Sequence, residues 1–298
     1  MGQSTSYYIG IDGGGTRCRA KLFNSKGECL GLAETGGANV ASDVKQAKQS
    51  LLDVITEALR VADLHAHVRL ADLHVAAGLA GANLSSARHA LINWAHPFAS
   101  FHFTSDLATA IIGAHGGGEG ALLIVGTGSC AASWQKNTLH HFGGHGFTLG
   151  DKGSGAWLGK QAIIHLLESL EGVFEQTGFC RAIHSHLGLP SAQALVDHYH
   201  HAPPSVFGKL APLVMQSANK GDEKALEIVK EGADYLSKIA SLALNSGNSK
   251  LAITGGVASL ITPYLSCEMR DALVPVAHSP EWGAVYLFYK ERCQLVQR

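Results

Sequence analysis

The sequence predicts an α/β protein built from two related domains, and three observations lead to this fold class. Short apolar strands alternate with amphipathic helices along the chain, which is typical of α/β domains with a mixed sheet. A strand, a glycine-rich turn and a second strand occur as "YYIGIDGGGTRCRAKLF" (7–23) and again as "ALLIVGTGSCAASWQ" (121–135). The 298 residues, 46% of them hydrophobic, provide enough apolar side chains for two buried cores.

The first domain is predicted to span residues 1–118, and its elements can be taken in chain order. Apolar alternation and turn residues indicate three short strands, over 7–11, 18–23 and 29–34. Apolar residues at helical spacing indicate a helix over 42–63, with Ser42 as a candidate cap. The elements that follow are a strand over 73–77, a helix over about 85–95, a strand over 101–104 and a helix that starts near Asp106.

The second domain is predicted to span residues 119–298, after the linker "HGGGEG". It opens with the repeated strand, turn and strand, continues as mostly helical sequence over 154–245, and returns to a core strand in "LAITGGVAS". A last helix is expected over about 280–292. The repeated glycine turn suggests an internal duplication, with a cleft in which a polyphosphate would contact both turns.

Composition narrows the class of protein. The net charge of −1 and the pI near 7.0 argue against a nucleic-acid or membrane-surface partner. No apolar run approaches the roughly 20 residues of a membrane span, and "MGQSTS" lacks the basic and apolar regions of a signal peptide. Six cysteines without a C-x-x-C pair are typical of reduced thiols in a cytoplasmic protein.

The turn "DGGGT" is the first candidate binding motif. Three consecutive glycines remove side chains from the backbone, as happens where a ligand approaches the main chain. Asp12 before them and Thr16 after them suggest a phosphate group with its metal ion. One such turn could be a simple hairpin connection, but "GTGS" and the later "TGG" (254–256) follow strands in the same way. Together the three turns favour a phosphate site.

Other nucleotide and metal motifs fit poorly. "SGAWLGKQ" departs from the Walker pattern at its first glycine and its hydroxyl residue. The spacing of Gly126, Gly128 and Ala131 matches a dinucleotide fingerprint, but the sequence after it alternates like a strand where that motif opens a helix. The histidine runs near 140–145 and 198–201 lack cysteine partners or acidic support, so a structural zinc site is not expected.

Two aspartates and an asparagine are candidate polar site residues. Asp106 stands at the end of a strand and the start of a helix, where α/β folds place catalytic groups. It could instead be the helix cap, unless Ser105 takes that role and leaves the carboxylate free to act as a base. Asp151 lies in a glycine-dense loop over 143–159, and Asn39 lies in "GGAN" before a helix. The loop of Asp151 could instead be a surface loop without function, and Asn39 could equally be a turn residue.

The order of "DGGGT", Asp106, "GTGS", "GDKGSG" and a late "TGG" turn resembles the sugar-kinase/actin/heat-shock-chaperone ATPase superfamily. More closely, it resembles the N-acetylglucosamine kinases and bacterial glucosamine kinases, which are grouped with the ATPase subunits of benzoyl-CoA reductase. The resemblance covers nearly the whole chain. It implies two duplicated ribonuclease-H-like domains with an interdomain cleft, ATP and Mg²⁺ as cofactors, a small amino sugar as substrate, and a homodimer.

The same resemblance implies roles for particular residues. Asp12 resembles the acid that acts on Mg²⁺ through water, and Asp106 resembles the general base. The residues implied on the nucleotide side are Gly14, Gly15, Thr16, Thr127, Gly128, Ala218, Gly255, Gly256, Val257, Ala258 and Ser259. Those implied on the sugar side are Asn39, Asp106, Ser129, Cys130, Gly144, His145, Gly146 and Asp151.

The chain departs from the animal N-acetylglucosamine kinases at two places that resemble their sugar site. His145 stands where those enzymes carry a tryptophan, and Val40 and Ala41 stand where they carry a His-Trp pair. Because two aromatic side chains are missing, the basis for recognising the N-acetyl group is weakened, and free glucosamine gains support as a candidate substrate beside N-acetylglucosamine. The expected reaction is transfer of the γ-phosphoryl group of ATP to the 6-hydroxyl of one of these sugars.

Two other functions compete with this reaction. The first is an ATPase activator of the benzoyl-CoA reductase or 2-hydroxyacyl-CoA dehydratase type, whose members hold an iron–sulfur cluster through cysteines near their late glycine turns. "ITGGVAS" contains no cysteine. The second is a chaperone-like binding module, which would need a large peptide-binding domain for which this chain has no spare length.

Overall fold

A computed structural model describes residues 6–295, and the chain divides into two compact units. Unit 1 contains residues up to 119 together with those from 276 onward, and unit 2 contains residues 120–275. Most of the "MGQSTS" segment lies outside the described residues. Among the described residues, no helix combines the length and apolarity needed to span a bilayer.

Unit 1 is built on a five-stranded mixed sheet with the strand order β3-β2-β1-β4-β5. The first three strands are antiparallel neighbours, whereas β4 is parallel to β1 and β5 is parallel to β4. The strands are β1 (Tyr7–Gly13), β2 (Arg17–Asn24), β3 (Cys29–Gly36), β4 (Leu73–Leu79) and β5 (Ser100–Ser105). The helices are α1 (Val44–Val61), α2 (Ser85–Ile92) and α3 (Asp106–Ala114), with a 3₁₀ turn over Leu70–Asp72.

Helix α1 shows how local sequence sets these elements. Its apolar stripe is buried against the sheet, as the helical spacing predicts. The predicted cap, Ser42, is wrong, because the side chain of Asp43 accepts the hydrogen bond from the Gln46 N–H at 2.9 Å. Asp43 has the extended backbone that a capping residue needs, with φ of −154°.

Unit 2 contains a four-stranded mixed sheet with the order β8-β7-β6-β9, in which β9 is parallel to β6 and the other neighbours are antiparallel. Its strands are β6 (Gly120–Val125), β7 (Ser129–Gln135), β8 (Thr138–Gly143) and β9 (Leu251–Thr254). Its helices are α4 (Gly155–Leu170), α5 (Gly178–Leu187), α6 (Ala192–Tyr199), α7 (Pro204–Gly208), α8 (Ala211–Asn219), α9 (Glu223–Leu244), α10 (Ala258–Ile261) and α11 (Cys267–Asp271), with a 3₁₀ turn over Thr262–Tyr264.

The two sheets share one plan, which confirms the predicted duplicated α/β fold. In each sheet, an antiparallel meander of three strands precedes a strand that is parallel to the first one. Beside β9, a single parallel bridge joins Leu251 to Leu273, where β5 pairs with β4 in unit 1. Strand β8 was not predicted, because its mostly polar sequence "TLHHFG" lacks the apolar alternation of a half-buried strand. The predicted interdomain cleft stays a prediction.

The last helix, α12 (Pro280–Tyr289), differs from the expected domain division. Residues 119–298 are the predicted second domain, but α12 belongs to unit 1. Glycines allow this packing. A Cβ atom at Gly10 of β1 would overlap the Glu281 carbonyl oxygen, and one at Gly283 would overlap the Thr109 carbonyl oxygen of α3. Because these two glycines have no side chain, the backbone of α12 can lie directly on β1 and α3.

Candidate functional site

The "DGGGT" turn connects β1 to β2 and is closed by a hydrogen bond of 2.9 Å from the Gly14 N–H to the Arg17 carbonyl oxygen. A Cβ atom at Gly13 would lie 2.6 Å from Cδ2 of Leu79, so a side chain there would require that methyl group to move. Gly15 and Thr16 are exposed. None of the three glycines has the positive φ that a tight turn would require. The backbone conformation therefore does not require these glycines, and the close approach of a ligand to them stays a prediction.

The segment that carries Asn39 lies beside this turn. The Ala38 N–H donates to the Gly14 carbonyl oxygen at 2.8 Å, and a Cβ atom at Gly37 would overlap the Gly15 carbonyl oxygen. The Asn39 side chain accepts a hydrogen bond from the Ala41 N–H at 2.9 Å. This Asx turn leaves the amide nitrogen of Asn39 on the side of Gly15. The structure thus brings Asn39 to the first glycine turn.

Asp12 is half-buried at the end of β1 and forms an ion pair that sequence reasoning did not identify. The Arg19 guanidinium donates from Nη2 to Oδ2 of Asp12 at 2.9 Å, and its Nε lies 3.2 Å from Oε1 of Glu281. Burial raises the pKa of Asp12, although the hydrogen bond from Arg19 acts in the opposite direction. The register of the hairpin, which pairs Asp12 with Arg19, was the available signal. Glu281 gave no such signal, because it lies at the far end of the chain.

Asp106 begins α3, directly after β5, and the helix cap is Ser105, whose hydroxyl accepts the Ala108 N–H at 3.2 Å. The Asp106 carboxylate is half-buried and accepts the Leu107 N–H at 2.9 Å. Burial raises the pKa of Asp106, which the backbone hydrogen bonds only partly oppose. The charge of Asp106 also raises the pKa of Asp12, so the two carboxylates interact at one edge of the sheet. Because Ser105 is the cap of α3, the capping alternative for Asp106 is wrong.

In unit 2, the "GTGS" turn connects β6 to β7 and is surrounded by backbone hydrogen bonds. The Gly126 N–H donates to the Gly128 carbonyl oxygen at 2.9 Å. At the start of α4, the Gly155 N–H donates to the Gly126 carbonyl oxygen at 2.8 Å, and the Ala156 N–H to that of Thr127 at 3.3 Å. The Thr127 residue itself is exposed. The turn therefore presents Thr127 while α4 fixes the backbone on either side of it.

The late "TGG" turn lies against the end of β6. The Val257 N–H donates to the Val125 carbonyl oxygen at 3.0 Å, and Gly255 has a φ of 112°, a conformation that favours glycine. The remaining predicted contacts differ in exposure: Gly256 and Ser259 are exposed, whereas Val257, Ala258 and Ala218 are buried. Ala218 lies near the end of α8, where Asn219 accepts a hydrogen bond from the Tyr264 hydroxyl at 2.6 Å. This bond ties α8 to the segment that follows the turn.

The glycine-dense loop of unit 2 is organised by Asp151, which has a positive φ of 57°. Its carboxylate accepts backbone hydrogen bonds from Ser129 and Gly146 and lies against Gly128, where a Cβ atom would be 2.7 Å from Oδ2. Burial raises the pKa of Asp151, and these two hydrogen bonds and the nearby His145 oppose that effect. Asp151 therefore holds the second turn and the loop together.

The other residues predicted for the sugar side lie around Asp151. The buried Ser129 hydroxyl donates to the Lys152 carbonyl oxygen at 2.9 Å, which fixes it within the loop. Gly144 has a φ of 68°, and a Cβ atom there would lie 3.0 Å from the Cβ of Cys130. His145 and Gly146 are exposed. The predicted residues thus form two groups: Asp12, Gly14, Gly15, Thr16, Asn39 and Asp106 in unit 1, and the rest in unit 2.

The donor chemistry can be compared with that of a magnesium ion. Within residues 6–295, no cluster of three or more His, Cys, Asp or Glu side chains is placed to hold a metal ion on its own. Mg²⁺ in phosphoryl-transfer sites typically uses one or two carboxylates together with phosphate oxygens and water. Asp12 fits that pattern, because Arg19 occupies only its Oδ2 atom and its side chain is 23% exposed.

Comparison with known proteins gives consistent results. The model of the BadF/BadG/BcrA/BcrD ATPase family matches residues 9–285. The chain is 34% identical over 269 residues to the glucosamine kinase GspK of Vibrio cholerae, a match that covers 90% of this chain and 91% of that protein. It is 29% identical over 279 residues to the N-acetylmuramic acid/N-acetylglucosamine kinase of Clostridium acetobutylicum, covering 90% of each.

A solved structure gives a similar result. The crystal structure of a proposed N-acetylglucosamine kinase from Chromobacterium violaceum matches with a TM-score of 0.88 at 29% sequence identity. The match covers 96% of this chain and 99% of that one. The similarity therefore extends over both units.

Proposed function

The chain belongs to the BadF/BadG/BcrA/BcrD ATPase family as an amino-sugar kinase, and from this premise we propose that it transfers the γ-phosphoryl group of ATP to the 6-hydroxyl of D-glucosamine. N-acetyl-D-glucosamine is the competing acceptor. The activator of acyl-CoA dehydratases is less well supported, because the relatives that match over about 90% of the chain are kinases.

The observation that carries the proposal is the state of Asp106. A general base needs a carboxylate that does not serve as the helix cap. Its pKa should lie closer to the working pH than the pKa of a solvent-exposed acid does. Ser105 caps α3 in place of Asp106, and burial raises the pKa of Asp106. In this proposal, Asp106 orients the 6-hydroxyl and accepts its proton as the oxygen attacks the γ-phosphorus. The bond from the γ-phosphorus to the bridging oxygen breaks and ADP leaves with that oxygen, while the proton remains on the Asp106 carboxylate until product leaves.

The glycine turns would hold the nucleotide through backbone groups. Phosphoryl transfer depends on positioning and charge neutralisation more than on covalent chemistry. Gly14, Gly15 and Thr16 in unit 1, and Thr127 and Gly128 in unit 2, are the proposed phosphate contacts. Gly255 to Ser259 and Ala218 are the proposed adenosine contacts. A magnesium ion held through Asp12 would supply positive charge to the phosphate oxygens.

The choice of glucosamine rests on the residues that stand in place of aromatic side chains. Val40 is buried, whereas Ala41 and His145 are exposed. The two positions that resemble the sugar site of the animal N-acetylglucosamine kinases thus carry no large aromatic ring that could cover an N-acetyl methyl group. Proposed contacts to the sugar include Asn39, Ser129, Cys130, Gly144, Gly146 and Asp151. The relative with the highest identity among the curated proteins above is a glucosamine kinase.

A coupled assay of ADP release tests both parts of the proposal. Glucosamine, N-acetylglucosamine, glucose and N-acetylmannosamine are compared as acceptors at equal concentration, with ATP alone as the background. We expect acceptor-dependent ADP release with the highest kcat/KM for glucosamine. A higher kcat/KM for N-acetylglucosamine would contradict the sugar assignment alone. ADP release that no acceptor increases would overturn the kinase assignment.

Two further proposals follow the resemblance. A homodimer is the oligomeric state that the family resemblance implies. A cytoplasmic location is supported by the six cysteines, which form no disulfide: Cys18, Cys29, Cys130, Cys180, Cys267 and Cys293. Light scattering coupled to size-exclusion chromatography measures the oligomeric state. A monomeric mass at micromolar concentration would contradict the dimer.

A further inference from the structure

Arg19 in unit 1 lies between two carboxylates that come from opposite ends of the chain. Its Nη2 is 2.9 Å from Oδ2 of Asp12, and its Nε is 3.2 Å from Oε1 of Glu281. The Glu281 side chain is only 1% exposed, and its Oε2 atom has no hydrogen-bond partner among the described residues. A buried carboxylate with so few partners depends on its one counter-ion, because an unpaired buried charge is strongly unfavourable.

The position of Glu281 follows from the packing of α12. Glu281 is the second residue of α12, after Pro280, where the positive end of the helix dipole favours an acid. Its backbone lies on Gly10. Gly10 and Asp12 are two residues apart on β1 and therefore share one face of the sheet. Arg19 is the direct cross-strand neighbour of Asp12. The three charged residues are thus fixed by a helix and two strands.

This arrangement determines which oxygen Asp12 can offer to a ligand. Oδ2 accepts the Arg19 hydrogen bond, whereas Oδ1 receives no hydrogen bond from the described residues. Because Arg19 is also bound to Glu281, its guanidinium is held in place and its charge is shared between two acids. Asp12 therefore keeps a defined orientation, and Arg19 alone does not neutralise its negative charge.

We propose that Arg19, held by Glu281, is a positioning residue that orients the Asp12 carboxylate toward the magnesium ion of the bound nucleotide. The inference rests on the proposed function of Asp12. It extends the nucleotide site to α12, a helix that lies within the range predicted for the second domain. Residues that orient a metal ligand in this way typically change metal affinity by roughly 10- to 100-fold when they are substituted.

Lys21 provides a matched control. It follows Arg19 by two residues on β2 and donates to the Ser279 hydroxyl at 2.8 Å. Ser279 is the residue at the start of α12. Lys21 therefore joins the same strand to the same end of the same helix as Arg19 does, but no hydrogen bond or ion pair links it to Asp12 or Glu281 in the described residues. Lys21→Met removes a strand-to-helix contact and leaves the Asp12 orientation intact.

The test measures ADP binding to the full chain by titration calorimetry, with and without Mg²⁺. The ratio of the two affinities reports the contribution of the metal ion and does not depend on turnover. We expect Glu281→Gln and Arg19→Lys to reduce this ratio by about 10-fold and to leave metal-free ADP binding unchanged. Arg19→Lys keeps the positive charge but cannot bridge both carboxylates with a fork. Lys21→Met should keep the wild-type ratio.

Each outcome separates this inference from the proposed function. Asp12→Asn should abolish the Mg²⁺ effect, and if it does not, the proposed role of Asp12 is wrong and the inference fails with it. If Asp12→Asn abolishes the effect while Arg19→Lys and Glu281→Gln keep the wild-type ratio, only the inference is overturned. An equal loss in Lys21→Met would also overturn it, because any weakening of the β2–α12 junction would then suffice. If Glu281→Gln does not fold, Arg19→Lys decides the question.

Discussion

The two glycine turns occupy equivalent places in their sheets, but different forces hold them. The turn after β1 has an ionic group behind it, in which Arg19 contacts both Asp12 and Glu281. The turn after β6 is held by backbone hydrogen bonds. The late glycine turn donates to the Val125 carbonyl oxygen, and the start of α4 donates to the Gly126 carbonyl oxygen. The turns are alike in sequence, yet one is supported by charges and the other by close backbone contacts.

This difference shows that the duplication extends to the strand order and not to the side chains that support each turn. A charged substitution should act mainly on the unit 1 turn, whereas an added methyl group should act mainly on the unit 2 turn. The predictions below test that division, beginning with the substitution for which we expect the largest effect.

Asp106→Asn tests the chemical role of unit 1. The amide keeps the shape of the side chain but cannot accept the hydroxyl proton, so we expect kcat to fall by roughly 10²–10⁴-fold. ATP binding should stay within about threefold of wild type, since Asp106 is not a proposed nucleotide contact. The coupled assay gives kcat and calorimetry gives ATP affinity. A variant with near-normal kcat would show that another group acts as the base.

Gly255→Ala tests the steric support of the unit 2 turn. Its φ of 112° disfavours alanine, and the added Cβ would overlap the Val125 carbonyl oxygen. We expect the free energy of unfolding to fall by about 3 kcal/mol, as measured by denaturant unfolding. Gly256→Ala is the matched control, because no atom lies within 4 Å of its added Cβ, and it should change stability by about 0.5 kcal/mol or less. Equal losses would contradict the steric account.

Much of the structure around the two glycine turns could be predicted from local sequence. The glycine turns follow apolar strands, so their positions were evident, and Ser105 before Asp106 indicated how the cap and the base could be separate residues. Arg19 could also have been found, because the hairpin register places it opposite Asp12.

Contacts between distant parts of the chain could not be predicted in this way. The pairing of Glu281 with Arg19 joins positions 262 residues apart, and it depends on glycines that let α12 lie on β1. The polar strand β8 was missed because one exposed edge leaves little apolar pattern. The conformation of Asp151, which ties two loops together, likewise depends on tertiary hydrogen bonds.

Asp151 of unit 2 differs from Asp106 of unit 1 in having a structural role. It accepts hydrogen bonds from two backbone N–H groups and has a φ of 57°, so its part in unit 2 is structural as well as a proposed sugar contact. Asn retains an acceptor oxygen and tolerates this backbone conformation, whereas Ala does neither. We expect Asp151→Ala to cost about 2 kcal/mol of stability and Asp151→Asn about 0.5 kcal/mol. Thermal and denaturant unfolding distinguish these values, and equal costs would contradict the structural role.

Gly13→Ala tests whether an added methyl group destabilises the unit 1 turn as much as it destabilises the unit 2 turn. The nearest atom to an added Cβ is the terminal methyl carbon of Leu79 at 2.6 Å, and the backbone at Gly13 is not left-handed. A side-chain end can move where a carbonyl oxygen cannot, so we expect a loss of about 1 kcal/mol. A loss as large as that of Gly255→Ala in the same unfolding measurement would remove the distinction between the turns.

The smallest expected effect concerns the stability that unit 1 gives up to keep Asp106 ionised. Because burial raises the pKa of Asp106 above its ordinary value, the folded protein binds this proton more tightly than the unfolded chain does. The ionised carboxylate therefore destabilises the fold at pH values above its folded pKa. This cost disappears as the pH falls through the folded pKa and below the unfolded value. Asp106→Asn cannot ionise, so it should raise the melting temperature by a few degrees at pH 7.5, and the difference from wild type should shrink on acidification. A gap that stays constant or grows toward low pH would mean that Asp106 is stabilised in its ionised form, and its fitness as a base would then need another explanation.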